Sequence, residues 1–303
     1  MTQTLVTPKV RDIIFLGTGT SGCIPNIPCI TSRRDCKVCW STLKPEGQKN
    51  RRRNTSLLVR FEDSSGRIRN VIIDCGKTFY ESAVECFIKY DVPTIDAVLL
   101  THGHADAILG LDDLRQWTMS LGIKIPIFLN SETYECVARA FPYLIDIKKA
   151  TGGGEVPALS FHELKDPSVP INIHGLEFLP LKVEHGSLSN GDPYYFWGFR
   201  FDDIVYISDC SYISEETRQL MKNSNVLVID ALNWKYHPSH YGVPAAMRET
   251  RELKPKLTIF TDMCHSIDHY ELEKYLADVK KDEGLNIIAA YDGLKIDIQD
   301  KID

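Results

Sequence analysis

The sequence predicts an α/β chain built as a four-layer αββα sandwich, two sheets packed face to face with helices outside. Three observations lead there. Short apolar runs bounded by Gly, Ser and Asp alternate with segments whose apolar residues recur at helical spacing. This cycle of strands followed by helices occurs twice, so two similar halves are expected. No Gly/Ser-rich or Pro-rich linker, low-complexity tract or solenoid period interrupts it, and residues 1–303 are read as one domain.

Taken in order, residues 12–16 form an apolar strand stopped by Gly-Thr-Gly-Thr. A polar loop from about Ser21 to Asn54 carries cysteines and a basic run. Strands are expected over 56–61 and 70–74, then a helix over 78–90 and a buried strand over 95–100. Helical spacing over 112–121 and 131–144 gives way to strands at 171–173, 176–183, 194–201 and 203–207. Helices over 215–222, 243–253 and 270–283 then alternate with strands over 226–229, 257–261 and 285–289.

Composition narrows the class without naming a function. Hydrophobic residues at 43% and charged residues at 25% are ordinary for a soluble protein. A chain of this length buries roughly three quarters of its unfolded surface, so its core needs no staples. No run approaches the ~20 apolar residues of a membrane span, and no membrane partner is expected. The start, MTQTLVTPKVRDIIF, lacks an apolar region followed by a cleavage site, so the expected location is cytoplasmic, with the nucleus left open. Nine cysteines without an export signal are better read as metal ligands or reduced core residues than as disulfides. A net charge of −6 argues against a surface that tracks nucleic acid, although Lys49, Arg51, Arg52 and Arg53 form a local basic run.

The sharpest signal lies after the strand ending at Leu100. His102 and His104 alternate along extended chain, so both side chains project to one side. Asp106 follows, and the small spacers Gly103 and Ala105 leave room for an ion. Imidazole nitrogens bind zinc at about 2.0–2.1 Å and carboxylate oxygens at similar range, so this cluster suits one ion or two adjacent ones. A lone His-x-His is equally a hydrogen-bonded core pair beside a helix-capping Asp. The longer string decides. Thr101-His102-Gly103-His104-Ala105-Asp106, running on to Gly110-Leu111-Asp112-Asp113-Leu114-Arg115, resembles the His-x-His-x-Asp-His signature of the metallo-β-lactamase superfamily. It is most similar to the phosphodiesterase branch, the bacterial carbon–phosphorus-pathway cyclic-phosphate phosphodiesterase-like proteins.

The rest of that pattern follows in order. Asp74-Cys75-Gly76 matches the family's Asp-x-Gly, Val183-Glu184-His185-Gly186 its third histidine, and Ile207-Ser208-Asp209 its metal-bridging aspartate. The resemblance spans nearly the whole chain. It implies the metallo-β-lactamase fold and a catalytic zinc held by His102, His104, His185 and Asp209. Two positions depart: Ala107 stands where the signature ends in His, and Asp262 where the family's final histidine follows the last apolar strand. A second site would keep only Asp106, Asp209 and Asp262, an oxygen set that favours Mn²⁺ or Mg²⁺ or leaves the position without an ion.

A second metal is expected on the long loop. Cys36-x-x-Cys39 has a chelating spacing for tetrahedral zinc, and Cys29 supplies a third thiolate. Similar phosphodiesterases carry a structural zinc on this loop, with a remote histidine three residues after the last catalytic one. The resemblance therefore implies His265, counted from Asp262, as fourth ligand, with Cys23 and Cys264 as substitutes. Reduced cysteines on a surface loop are the plainer alternative.

A metal at such a centre lowers the pKa of a bound water and polarises an acyl or phosphoryl oxygen. Asp106 belongs to that catalytic centre. A proton donor is still needed, and His237-Pro238-Ser239-His240 resembles a substrate-loop motif of the phosphodiesterase-like members. This implies His240 as transition-state stabiliser or general acid, with His237 in support; two histidines in a surface loop are the alternative. Arg51 to Arg53 read as a phosphate clamp, a solvated turn, or partners of Asp112 and Asp113, and Tyr291 as a pocket-lining ring. The expected function is a metal-dependent hydrolase, foremost a phosphodiesterase acting on a small or cyclic phosphodiester. The alternatives are a nuclease of the transfer-RNA 3′-processing kind, a thioesterase or lactonase, and a non-catalytic metal-stabilised scaffold. The nuclease would make nucleic acid a partner, but no long Lys- and Gly-rich arm is found.

Overall fold

The computed structural model describes residues 8–298. Its strands are β1 (Val10–Gly17), β2 (Ser56–Glu62), β3 (Ile68–Ile73), β4 (Ala97–Leu99), β5 (Ile125–Leu129), β6 (Leu159–Glu163) and β7 (Ile171–Ile173). They continue with β8 (Leu176–Ser187), β9 (Pro193–Phe201), β10 (Ile204–Ile207), β11 (Val226–Asp230), β12 (Leu257–Thr261), β13 (Ile287–Ala289) and β14 (Lys295–Asp297). One sheet has the order β14-β1-β2-β3-β4-β5-β6, the other β13-β12-β11-β10-β9-β8-β7. Each has seven strands, and the two similar halves expected from the doubled pattern are present.

Alternation along single strands builds the layers. In β1, Ile13 and Phe15 enter the core between the sheets, while Ile14 and Leu16 face the helices on the outer side. In β10, Tyr206 points between the sheets, and Val205 and Ile207 meet the opposite helix layer. Strands buried on both faces read as unbroken apolar runs, so periodicity alone could not distinguish them from buried helix. Helix 79–90 closes one outer face with Phe79, Ala83, Cys86 and Phe87 on a single stripe. Helices 243–253 and 269–283 close the other through Ala246, Met247, Leu272 and Leu276. The αββα sandwich stands.

Two local expectations are corrected. The helix expected over 131–144 stops at Ala140, and a short turn restarts at Pro142, whose ring and missing N–H cannot continue the ladder. The polar-flanked strands 125–129, 159–163 and 295–297 lie where no strand is expected from sequence. No helix among the described residues is long and apolar enough to cross a membrane.

Candidate metal centre

The site forms where strands of both sheets end. His102 and His104 follow β4, His185 lies near the end of β8, and Asp209, Asp230 and Asp262 follow or close β10, β11 and β12. Chain that leaves a strand frees side chains from the sheet, and ligands collect at such carboxyl ends. Gly76 permits the closest approach, since a Cβ there would lie 1.8 Å from the Asp106 carbonyl oxygen.

His102, His104 and His185 bring ligand nitrogens within 4.8 Å of one another, as expected from sequence. His102 Nε2 lies 3.6 Å from Asp209 Oδ2 and 3.7 Å from Asp106 Oδ1. Two ligand atoms that share an ion at about 2.1 Å are separated by roughly 3 to 3.7 Å, so these spacings fit a common cation. His102 Nε2 and Asp106 Oδ1 are buried without a hydrogen-bond partner, an arrangement that costs free energy unless something charged completes it. Residues present and divalent metal agree.

The supporting bonds aim the ligands. Thr101 donates through N and Oγ1 to Asp74 at 2.8 and 2.7 Å, and its Oγ1 lies 2.9 Å from His102 Nδ1. His185 Nδ1 lies 2.8 Å from the Ser239 carbonyl, to which its N–H donates, leaving the Nε2 lone pair free to ligate. Burial, then neighbouring imidazoles, lower His102 well below the ordinary histidine value and His185 to about 3, so both are neutral, the form that binds metal. Burial and then Asp209 raise Asp106 to about 6, and burial and then Asp262 raise Asp209 well above its ordinary value. Carboxylates crowded in this way call for a positive partner.

His240 sits beside this group, its ring 4.8 Å from that of His185. Its Nδ1 is 2.9 Å from Asp230 Oδ2 and 3.1 Å from Asp262 Oδ2. Burial opposes protonation, but Asp230 and Asp262 outweigh it and push His240 up to about 12. His237 stands farther out, with rings 5.3 Å apart and its Nδ1 near Ser239 Oγ.

The geometry corrects several readings. Of the expected oxygen set, Asp209 stands next to both Asp106 and Asp262, and Asp262 also groups with Asp230 and His240. Arg52 and Arg53 are buried and serve the fold, Arg52 donating to the Cys264 and Ile267 carbonyls and Arg53 pairing with Asp292 and Glu85. They form no phosphate clamp, and Asp112 pairs with Arg115 instead. Tyr291 packs on His269 at 5.7 Å. Asp230 is the functional residue that the sequence motifs do not mark, although it closes an apolar strand as Asp74 and Asp209 follow theirs.

The second cluster assembles as the resemblance implies. Cys29, Cys36 and Cys39 lie 3.4, 3.5 and 3.7 Å from His265 Nδ1. Zn–S near 2.3 Å and Zn–N near 2.05 Å in a tetrahedron give an S···N edge of about 3.6 Å. The donor set and spacing fit zinc. Cys23 and Cys264 take no part: their sulfurs meet Asn54 Nδ2 at 3.3 Å and Ser266 Oγ at 3.0 Å.

A family profile described as a β-lactamase superfamily domain matches residues 69–263, most of the chain. The chain belongs to the metallo-β-lactamase superfamily. Among solved structures it is similar to a diphosphatase from the PhnP family, 30% identical with a TM-score of 0.74, over 94% of this chain and 96% of that one. It is similar in fold to zinc-bound PqqB from Methylobacterium extorquens, 16% identical with a TM-score of 0.69, over 95% of this chain and 100% of that one. An octanoyltransferase from Porphyromonas gingivalis is 28% identical over 289 residues, 95% of this chain and 52% of its own length. The chain thus spans about half the length of that curated relative. Its fold is that superfamily's, and its His and Asp cluster offers ligands for a divalent metal.

Proposed function

We propose that this superfamily member is a phosphodiesterase that cleaves a small phosphodiester at the centre formed by His102, His104, His185 and Asp209. The observation that carries the reading is the cavity beside His240. It encloses about 150 Å³ and is lined by Lys235, His237, His240 and Arg248, with Ser211 and Tyr236, and by no carboxylate; of the residues at the centre, His240 alone borders it. A wall of this kind suits a phosphodiester, which carries its negative charge through the whole reaction.

A divalent ion at the centre supplies Lewis-acid activation of water and of a phosphoryl oxygen. The chain's own groups do the rest. Asp74 and Thr101 orient His102, and the Ser239 carbonyl orients His185. The grip on His240 Nδ1 leaves Nε2 as the ring's remaining donor, suited to the phosphoryl oxygen or the leaving group. We assign zinc to the Cys29, Cys36, Cys39 and His265 cluster, where it ties the long loop to the segment after β12.

The test is hydrolysis of bis-p-nitrophenyl phosphate by protein supplied with Zn²⁺ or Mn²⁺, with His102→Ala as control. Turnover that the variant loses is the expected result. Turnover no higher than the variant's with either ion overturns the phosphodiester reading. An acyl substrate is the second reading, favoured by the octanoyltransferase relative, and an octanoyl thioester run in parallel decides between them.

A further inference from the structure

We infer that the catalytic centre holds one metal ion, and that Asp262 is a positioning residue for His240 where a two-metal site would place a ligand. The inference rests on the metal-hydrolase reading and concerns what this chain's own departures do.

Ligand supply comes first. Ala107 is buried and offers no ligating side chain, and its carbonyl accepts the Cys75 N–H at 2.7 Å. A second ion beside Asp106 would therefore find that carboxylate and a share of Asp209, with His240, which groups with His185 and Asp209, as the one further imidazole among the described residues. Zinc sites in proteins take at least three protein ligands, usually including imidazole or thiolate. Hard ions accept carboxylates, but selective sites gather more than two of them.

Asp262 is turned toward His240: its Oδ1 accepts a hydrogen bond, and its buried Oδ2 accepts none but lies in ion-pair contact with that ring. Thr55 Oγ1 donates to Oδ1 at 3.0 Å, and Oδ2 faces His240 Nδ1 at 3.1 Å. Its backbone is held in the left-handed region at φ 57°. On either side, Ala231 N donates to the Thr261 carbonyl and Met263 N to the Thr18 carbonyl, at 3.0 Å each. The residue is thus fixed toward His240.

The trio Asp230, His240 and Asp262 lies close enough to hold an ion, but Asp230 is saturated. Its Oδ2 accepts from Cys210 N at 2.9 Å, Tyr241 N at 3.3 Å and His240 Nδ1 at 2.9 Å. Its Oδ1 accepts from Leu232 N at 3.1 Å. A carboxylate that satisfies three backbone N–H groups is a brace. His240 is therefore clamped between two carboxylates, one from each of two neighbouring strand ends, and stands beside the single ion as the protein's own donor. An Asp here keeps the donor aimed, where a metal-binding His would turn toward an ion.

The experiment counts ions in the full chain after saturation with Mn²⁺ and Zn²⁺ and removal of excess, and pairs the count with the Mn²⁺ electron paramagnetic resonance spectrum. Expected are about two ions per chain, one at the Cys cluster and one at the centre. His102→Ala should lose one, and bound Mn²⁺ should give the spectrum of an isolated ion. The double variant Ala107→His with Asp262→His should gain one further ion and an exchange-coupled spectrum. Asp262→Asn should keep the wild-type metal content while kcat falls by about tenfold to a hundredfold, and Asp262→Glu should restore part of it. A wild-type chain with two ions at the centre, or metal loss in Asp262→Asn, overturns the inference while leaving the hydrolase reading intact. A centre that binds no ion, with His102→Ala unchanged in content, overturns both.

Discussion

Asp74 is the position at which the orientation of the metal centre is best tested. Its carboxylate accepts both Thr101 N and Thr101 Oγ1, and that hydroxyl lies 2.9 Å from His102 Nδ1. A threonine hydroxyl has one proton. While it is donated to the carboxylate, the oxygen is an acceptor, so His102 carries its proton on Nδ1 and offers the Nε2 lone pair to the ion. Asp74→Asn keeps the volume and tolerates the φ of 65° at this residue. If its amide donates to Thr101 Oγ1, the hydroxyl proton turns to His102 Nδ1, the imidazole proton moves to Nε2, and the ligand is the wrong tautomer. Changes at residues that orient a ligand typically cost 10- to 100-fold in metal affinity, or about 1.4 to 2.7 kcal/mol. Apo stability should move far less, within about 1 kcal/mol, because relief of a buried carboxylate offsets a weaker hydrogen bond. Competition with a chromophoric chelator measures the affinity, and urea unfolding of apo protein measures the stability. Wild-type affinity in Asp74→Asn, beside clear loss in His102→Ala, would refute the tautomer argument and show that residue 74 acts as a neutral group.

Cys36→Ser should lower bound zinc by one ion and reduce the melting temperature; unchanged metal content and melting would remove zinc from that cluster. His269 is fully buried, and burial, then Arg52 and Lys49, lower it to about 4 against the opposing pull of Glu273. Its folded value lies below the unfolded one, so the unfolded state binds the extra proton. Stability should therefore fall as pH drops from about 6.5 to 4, by up to about 3 kcal/mol, and urea unfolding of His269→Asn should show a shallower slope. Arg52→Lys keeps the charge, but its shorter stem falls short of the Cys264 and Ile267 carbonyls, which Arg52 reaches through Nη1 at 3.1 and 2.9 Å. We expect a loss of about 1–3 kcal/mol and faster zinc release to a chelator, since that segment carries His265; wild-type release would show that Arg52 does not hold it.

The sequence made the layers legible wherever apolar residues alternate with a clear partner pattern. Helix 79–90 and the runs ending at Asp74, Leu100, Asp230 and Thr261 are set by local periodicity and by turn residues at their ends. Strand 159–163 was not legible for a physical reason. It is an edge strand whose outer residues, His162 and Glu163, face water, so its apolar content is that of a loop. Strand 295–297 is likewise three residues of mixed character, recruited only because β1 presents an open edge. The break at Pro142 is legible in the residue itself, but the helical spacing on either side of it masks the boundary.

The metal centre divides along the same line. A ligand such as His102 announces itself, because imidazoles two residues apart at a strand end have few structural uses. A brace such as Asp230 does not, because its role exists only once β11 lies beside β12 and brings the 231–242 loop over its carboxylate. Arg52 shows the converse. A basic run reads as surface in one dimension, yet its middle residue is fully buried because two carbonyls of the returning chain need its guanidinium. Asp262 joins both cases. As a letter it marks a departure from a ligand pattern, which leaves loss and retuning equally open. Only its distances to His240 and Thr55 give it a third role, and they do so because the strand that carries it ends beside the one that carries Asp230.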